Sequence, residues 1–122
     1  MNDSKKKWRV LVVDDHPKVL RFIEVTLKLQ GYDVMTASSG EQALDMVNST
    51  KPDIMLLDIV LSGIDGFQVL EKLRTFTHMP VIAVSASHAN HDNALRSGAD
   101  DFIPKPFRPD ELNRRIEALL AP

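Results

Sequence analysis

The 122-residue sequence predicts an α/β fold, a doubly wound five-stranded parallel sheet in the order 2-1-3-4-5 with helices on both faces. Three observations lead there. Short β-branched and aliphatic runs alternate strictly with stretches of helical periodicity, five of each. Several runs are apolar at nearly every position, so both faces of those strands need cover, which a parallel sheet between two helical layers provides. Right-handed crossovers then leave few strand orders for such an alternation, and ligands of such sheets bind outside the carboxyl ends of the strands.

The elements follow in turn. "RVLVVD" (9–14) is the first strand. Pro17 opens the first helix, where its missing N–H costs nothing, and Val19, Leu20, Ile23 and Leu27 recur at helical spacing until Gly31 supplies a stop. "YDVMTA" (32–37) is a second strand, and Ser39 with Gln42 forms a capping-box pattern that opens a helix through Val47. "DIMLLD" (53–58) is the third strand, followed by Asp65 and Gln68 as the cap of a helix carrying Phe67, Leu70 and Leu73. "VIAVSA" (81–86) is the fourth strand, and residues 90–97 form a short helix that Gly98 ends. "DFIP" (101–104) is the fifth strand, and Pro109 opens a last helix with Leu112, Ile116, Leu119 and Leu120 on one face. The domain expected is 9–120, preceded by a flexible leader over 1–8.

Composition narrows the function classes. The content is 43% hydrophobic and 26% charged, that of a soluble globular domain, and the formal net charge of −2 gives no support to a nucleic-acid partner. The basic run Lys5–Lys7 reads as a solvated tail. With no cysteine there are no disulfides, thiolate metal sites or Cys nucleophile, which suits a reducing cytoplasm. No apolar run reaches the roughly 20 residues of a membrane span, so no membrane association is expected.

Polar residues gather at one edge of this sheet. Asp14 and Asp15 end the first strand, Asp58 ends the neighbouring third, Ser85 lies near the end of the fourth, and Lys105 follows the fifth. A solvated strand end would explain the Asp14–Asp15 pair by itself, but not its convergence with Asp58, Ser85 and Lys105. Like charges roughly 4 Å apart cost about 4 kcal/mol at an effective dielectric near 20, so three carboxylates call for a divalent cation. Oxygen-only ligands favour Mg²⁺, and a cation, an ammonium, a hydroxyl and a carboxylate nucleophile together make a phosphoryl-transfer site. His16, His78, His88 and His91 complete no metal-ligand set; His16 is near enough to the acidic edge to influence its response to pH.

"VVDD" at 12–15, "LLDIVLSGIDGF" at 56–67, "VIAVSA" at 81–86 and "GADDFIPKPF" at 98–107 together resemble the receiver domain of two-component response regulators, the CheY-like group of flavodoxin-like folds. The resemblance covers 9–120. It implies that Asp58 is the phosphoacceptor, and that Asp15, Asp58 and the backbone carbonyl of Val60 bind Mg²⁺, with Asp14 assisting through water. It also implies that Ser85 and Lys105 contact the phosphoryl oxygens, that the Lys105–Pro106 peptide is cis, and that Ser85 and Phe102 form a switch in which Phe102 turns inward. The implied partners are a sensor histidine kinase or histidine phosphotransfer protein as donor, and a downstream protein on the face of the fourth helix, fifth strand and fifth helix. Such a domain catalyses its own phosphorylation and dephosphorylation but is mainly a signalling switch.

Three features depart from the family pattern. Ser62 stands where proline is usual, which predicts a more mobile loop and weaker Mg²⁺ binding. Val60, two residues after Asp58, is apolar and would shield a phosphoryl group from water. Ser85 and Gly98 are 13 residues apart, a shorter separation than is common, which shortens the fourth-helix region. These departures keep open a pseudo-receiver, a protein-binding module of the same fold that is not phosphorylated. A haloacid-dehalogenase-like phosphatase would want a second Asp at position 60, and a flavodoxin-like cofactor binder would want a phosphate cradle in place of the acidic first loop. No output domain follows Pro122, so the chain reads either as a stand-alone shuttle or as one piece of a larger regulator.

Overall fold

The computed structural model describes residues 7–121. Its elements run β1 (Arg9–Val13), α1 (Pro17–Leu29), β2 (Asp33–Ala37), α2 (Gly40–Thr50), β3 (Ile54–Asp58), α3 (Gly66–Leu73), β4 (Val81–Ser85), α4 (Asn90–Ser97), β5 (Asp101–Pro104) and α5 (Pro109–Leu120). The strands form one parallel sheet in the order β2-β1-β3-β4-β5, as the sequence predicts.

Alternation along each strand divides the core into two layers, because successive side chains point to opposite faces. Val10, Val12, Ile54, Leu56, Ile82, Val84 and Ile103 face α1 and α5, where Ile23, Leu27, Leu112 and Ile116 cover them. Leu11, Val13, Met55, Leu57, Val81, Ala83 and Phe102 face the other way, against Ala43 and Val47 of α2, Val69, Leu70 and Leu73 of α3 and Ala94 of α4. β3 and β4 are buried at every position, which is why their sequences carry no polar alternation.

The element ends differ from the sequence expectation in instructive ways. α2 continues past Val47 to Thr50, and stops where Lys51 enters the left-handed region at φ 51° ahead of Pro52. The Ser39 side chain accepts the Gln42 N–H as predicted, but Gln42 Oε1 accepts from the N–H of Ser38 rather than Ser39, so the reciprocal arm lies one residue earlier. On α3 both arms of the capping box form, at 2.9 Å each, between Asp65 and Gln68. Trp8, assigned to the leader, is half-buried against the α1/α5 layer, and its carbonyl accepts the Asp33 N–H, so it belongs with the domain. Residues 1–6, including Lys5 and Lys6, lie outside the described residues.

Gly66 fixes how the chain leaves β3. Its N–H donates to the Ile59 carbonyl at 2.8 Å, and a Cβ on residue 66 would sit 2.5 Å from Ile59 Cα. Backbone cannot yield there as a flexible side chain would. Gly66→Ala is expected to lower stability by about 1–3 kcal/mol, read as a lower urea midpoint; an unchanged midpoint would show that the loop relaxes.

Candidate functional site

Register brings the polar residues together. Val13 pairs with Leu57, which sets Asp14 beside Asp58 one residue on. Asp58 pairs with Val84, and Ser85 pairs with Pro104, one residue before Lys105. The Lys105 N–H donates to the Ser85 carbonyl at 2.9 Å, and the Lys105–Pro106 peptide is cis.

Asp14 and Asp58 are buried, at 1% and 5% exposure. Lys105 Nζ lies 3.2 Å from Oδ2 of each, so one ammonium serves two carboxylates. The other oxygens are also engaged: Asp14 Oδ1 accepts the His16 N–H at 2.9 Å, and Asp58 Oδ1 accepts the Val60 N–H at 3.1 Å. Asp15 is held from the β3–α3 loop, where the Ser62 N–H and hydroxyl both donate to its Oδ2, at 2.9 and 2.7 Å. Asp15 Oδ1 is buried and makes no hydrogen bond; His16 Nδ1 lies 3.2 Å from it without hydrogen-bond alignment.

One ligand atom each from Asp14, Asp15, His16 and Asp58 falls within a 4.8 Å cluster. Three clustered carboxylates, two of which share one ammonium, with a buried carboxylate oxygen lacking a hydrogen bond, fit a hard divalent cation, and the oxygen-rich set suits Mg²⁺. The exposed His16 ring belongs to the cluster by distance, but its nitrogen is not a ligand that Mg²⁺ prefers.

Across the site, Ser85 is buried, and its Oγ accepts both the Ser87 N–H at 3.1 Å and Asn90 Nδ2–H at 2.9 Å. Phe102 is 4% exposed and points into the core, with the His91 ring edge-on at a centroid distance of 5.2 Å. The first residues of α4 touch both Ser85 and Phe102. Sequence reasoning singled out neither Asn90 nor the Ser62–Asp15 pair.

Residues 10–117 match the response regulator receiver domain family. The chain belongs to that family. The receiver domain is 40% identical over 115 residues to the alkaline phosphatase synthesis transcriptional regulatory protein PhoP of Bacillus subtilis (strain 168), a match spanning 92% of this chain and 48% of the relative. It spans about half the length of the curated relatives it matches. Among solved structures it superposes on the receiver domain of Francisella response regulator 1452 with a TM-score of 0.88 at 36% identity, covering 93% of this chain and 97% of that one. It superposes on the BeF₃-activated N-terminal receiver domain of Klebsiella pneumoniae RstA with a TM-score of 0.89 at 32% identity, covering 93% and 99%. Receiver domains bind Mg²⁺ at an acidic cluster, and they work with histidine kinases and downstream effector domains in phosphorylation-controlled signalling. Among the described residues of this receiver domain, no helix is long and apolar enough to cross a membrane.

The electrostatics of the receiver site follow from its burial. Burial pushes the Asp58 carboxyl above its usual range; Lys105 pulls it down, and Asp14 pushes it further up. Burial also works against the Lys105 ammonium, but the Asp58 and Asp14 carboxylates outweigh it and hold the group above the ordinary lysine value. Asp15 is lowered, first by the Ser62 hydroxyl, with burial opposing.

Because the folded state holds a proton on Asp58 more tightly than the unfolded chain does, its contribution to stability falls as pH rises from the ordinary 3.8 through the raised folded value. In chelator-treated protein, Asp58→Asn is expected to raise the urea midpoint at pH 7, with the gain shrinking as pH approaches 4. A variant no more stable than the parent at pH 7 would contradict this.

Proposed function

We propose that Asp58 accepts a phosphoryl group from a phosphohistidine on a sensor histidine kinase or histidine phosphotransfer protein, and that the modified domain then signals through its α4–β5–α5 face. The observation that carries this reading is the sharing of Lys105 between buried Asp14 and Asp58, at 3.2 Å each, beside the orphaned Asp15 oxygen. Such a site is short of positive charge, which a divalent cation would supply before an anionic phosphoryl group enters.

Asp15, Asp58 and the Val60 carbonyl are the residues that would hold Mg²⁺, with Asp14 reaching it through water. When bound, Mg²⁺ supplies positive charge that offsets the carboxylates and the oxygens of the transferring group. The chain's own residues do the rest. The Val60 N–H orients Asp58 through Oδ1. An Asp58 oxygen attacks phosphorus in line, the P–N bond of the phosphohistidine breaks, and the imidazole leaves with the bonding pair and takes up a proton. Lys105 follows the charge from the carboxylate to the phosphoryl oxygens, and the Ser85 hydroxyl proton is available to donate to one of them. The product is an acyl phosphate on Asp58, which water later hydrolyses to carboxylate and inorganic phosphate.

Acetyl phosphate substitutes for the phosphohistidine in the test. With Mg²⁺ the intact mass is expected to rise by one phosphoryl group, with no rise in chelator or in Asp58→Ala. A folded, metal-replete protein that gains no mass would overturn the reading and favour a binding module that is never phosphorylated.

Val60 is 63% exposed beside Asp58 and offers attacking water no polar partner. Val60→Asn is expected to speed dephosphorylation severalfold, below the roughly 10²–10⁴ of a fully positioned proton-handling group, because an amide orients water without taking its proton. An unchanged decay of the phosphorylated mass would show that residue 60 does not govern access of water.

A further inference from the structure

Ser62 stands where proline is usual in the family, and it contributes two donors that proline would lack. Its N–H and hydroxyl converge on one oxygen, Asp15 Oδ2, at 2.9 and 2.7 Å, joining the β3–α3 loop to the β1–α1 loop across 47 residues of sequence. Hydrogen bonds to an ionised acceptor are about twice as strong as neutral ones, and two on one oxygen define its position. Gly63 follows with φ +78°, a left-handed turn in the chain directly after the donor pair. Proline at residue 62 would have neither the N–H nor the hydroxyl.

Oδ2 is held by Ser62, the other oxygen, Oδ1, is buried and lacks a hydrogen bond, and Asp15 is a member of the acidic cluster. The same loop carries Val60, whose carbonyl is a proposed ligand. We infer that Ser62 is a positioning residue for divalent-cation binding: it clamps the carboxylate from the first loop to the loop bearing Val60, so that ligands from two segments are set before the ion arrives. This inference rests on the reading of the acidic cluster as the Mg²⁺ site. Outer-shell donors of this kind orient a ligand and lower the cost of ordering it, and their loss costs metal affinity typically by 10–100-fold.

The test is calorimetric titration of Mg²⁺ into the whole metal-free chain at fixed ionic strength, for the parent, Ser62→Ala, Ser62→Thr and Ser62→Pro. Ser62→Ala is expected to bind about tenfold more weakly, Ser62→Pro more weakly again, and Ser62→Thr, which keeps both donors, close to the parent. Urea midpoints in chelator separate positioning from folding, and those of parent, Ala and Thr forms are expected to agree. Should Ser62→Pro fail to fold, the Ala and Thr forms carry the comparison. Equal or tighter binding by Ser62→Ala, with the parent binding Mg²⁺, would overturn the role of Ser62 while leaving the metal site standing. A parent that binds no Mg²⁺ would overturn both.

Discussion

Lys105 is one ammonium shared by two buried carboxylates, and the carboxyl edge of the sheet is organised around that shortage of positive charge. Burying Asp14 and Asp58 together is unfavourable, and the chain reduces the cost with whatever donors are near: Lys105, the His16 N–H and the Val60 N–H. The arrangement is tolerable rather than complete. A divalent cation would relieve the repulsion the fold has already built in, and with Lys105 it would supply the positive charge that an incoming, anionic phosphoryl group needs.

The sheet makes this possible by register. Parallel strands with strictly alternating faces carry two apolar layers, and only at their carboxyl ends can polar side chains of β1, β3, β4 and the chain after β5 meet without interrupting either layer. The helices on one side include α4, whose first turn reaches the site. Asn90 donates to Ser85 Oγ and His91 stands against Phe102, so a change in either residue is felt at the start of the same helix. The short segment between β4 and α4 keeps the first turn of that helix against Ser85, at the border of the proposed output face.

Much of this was legible in the sequence, for physical reasons. Strands such as "IMLLD" and "VIAVS", buried at every position, have no other economical home than a covered parallel sheet, and each of the polar anchors either ends its strand or follows it directly. What escaped were contacts between segments distant in sequence. Nothing in the run around Ser62 tells that its donors meet Asp15, 47 residues earlier, because serine in place of proline says only what the loop lacks. Arg74 is similar: its guanidinium joins α3 to Gly98, Met79 and Asp100, a clip at the far edge of the sheet that no local pattern announces. The end of α2 carries no glycine to mark it: Lys51 takes the left-handed conformation more usual for glycine.

The most direct measurement of the central claim is to locate the phosphoryl group after exposure to acetyl phosphate and Mg²⁺. Borohydride reduces an acyl phosphate on aspartate to homoserine, which peptide mass spectrometry assigns to a single position. Homoserine is expected at residue 58, with intact aspartate at 14 and 15. Conversion at either of those positions, or none at residue 58 in protein that has gained the phosphoryl mass, would contradict it.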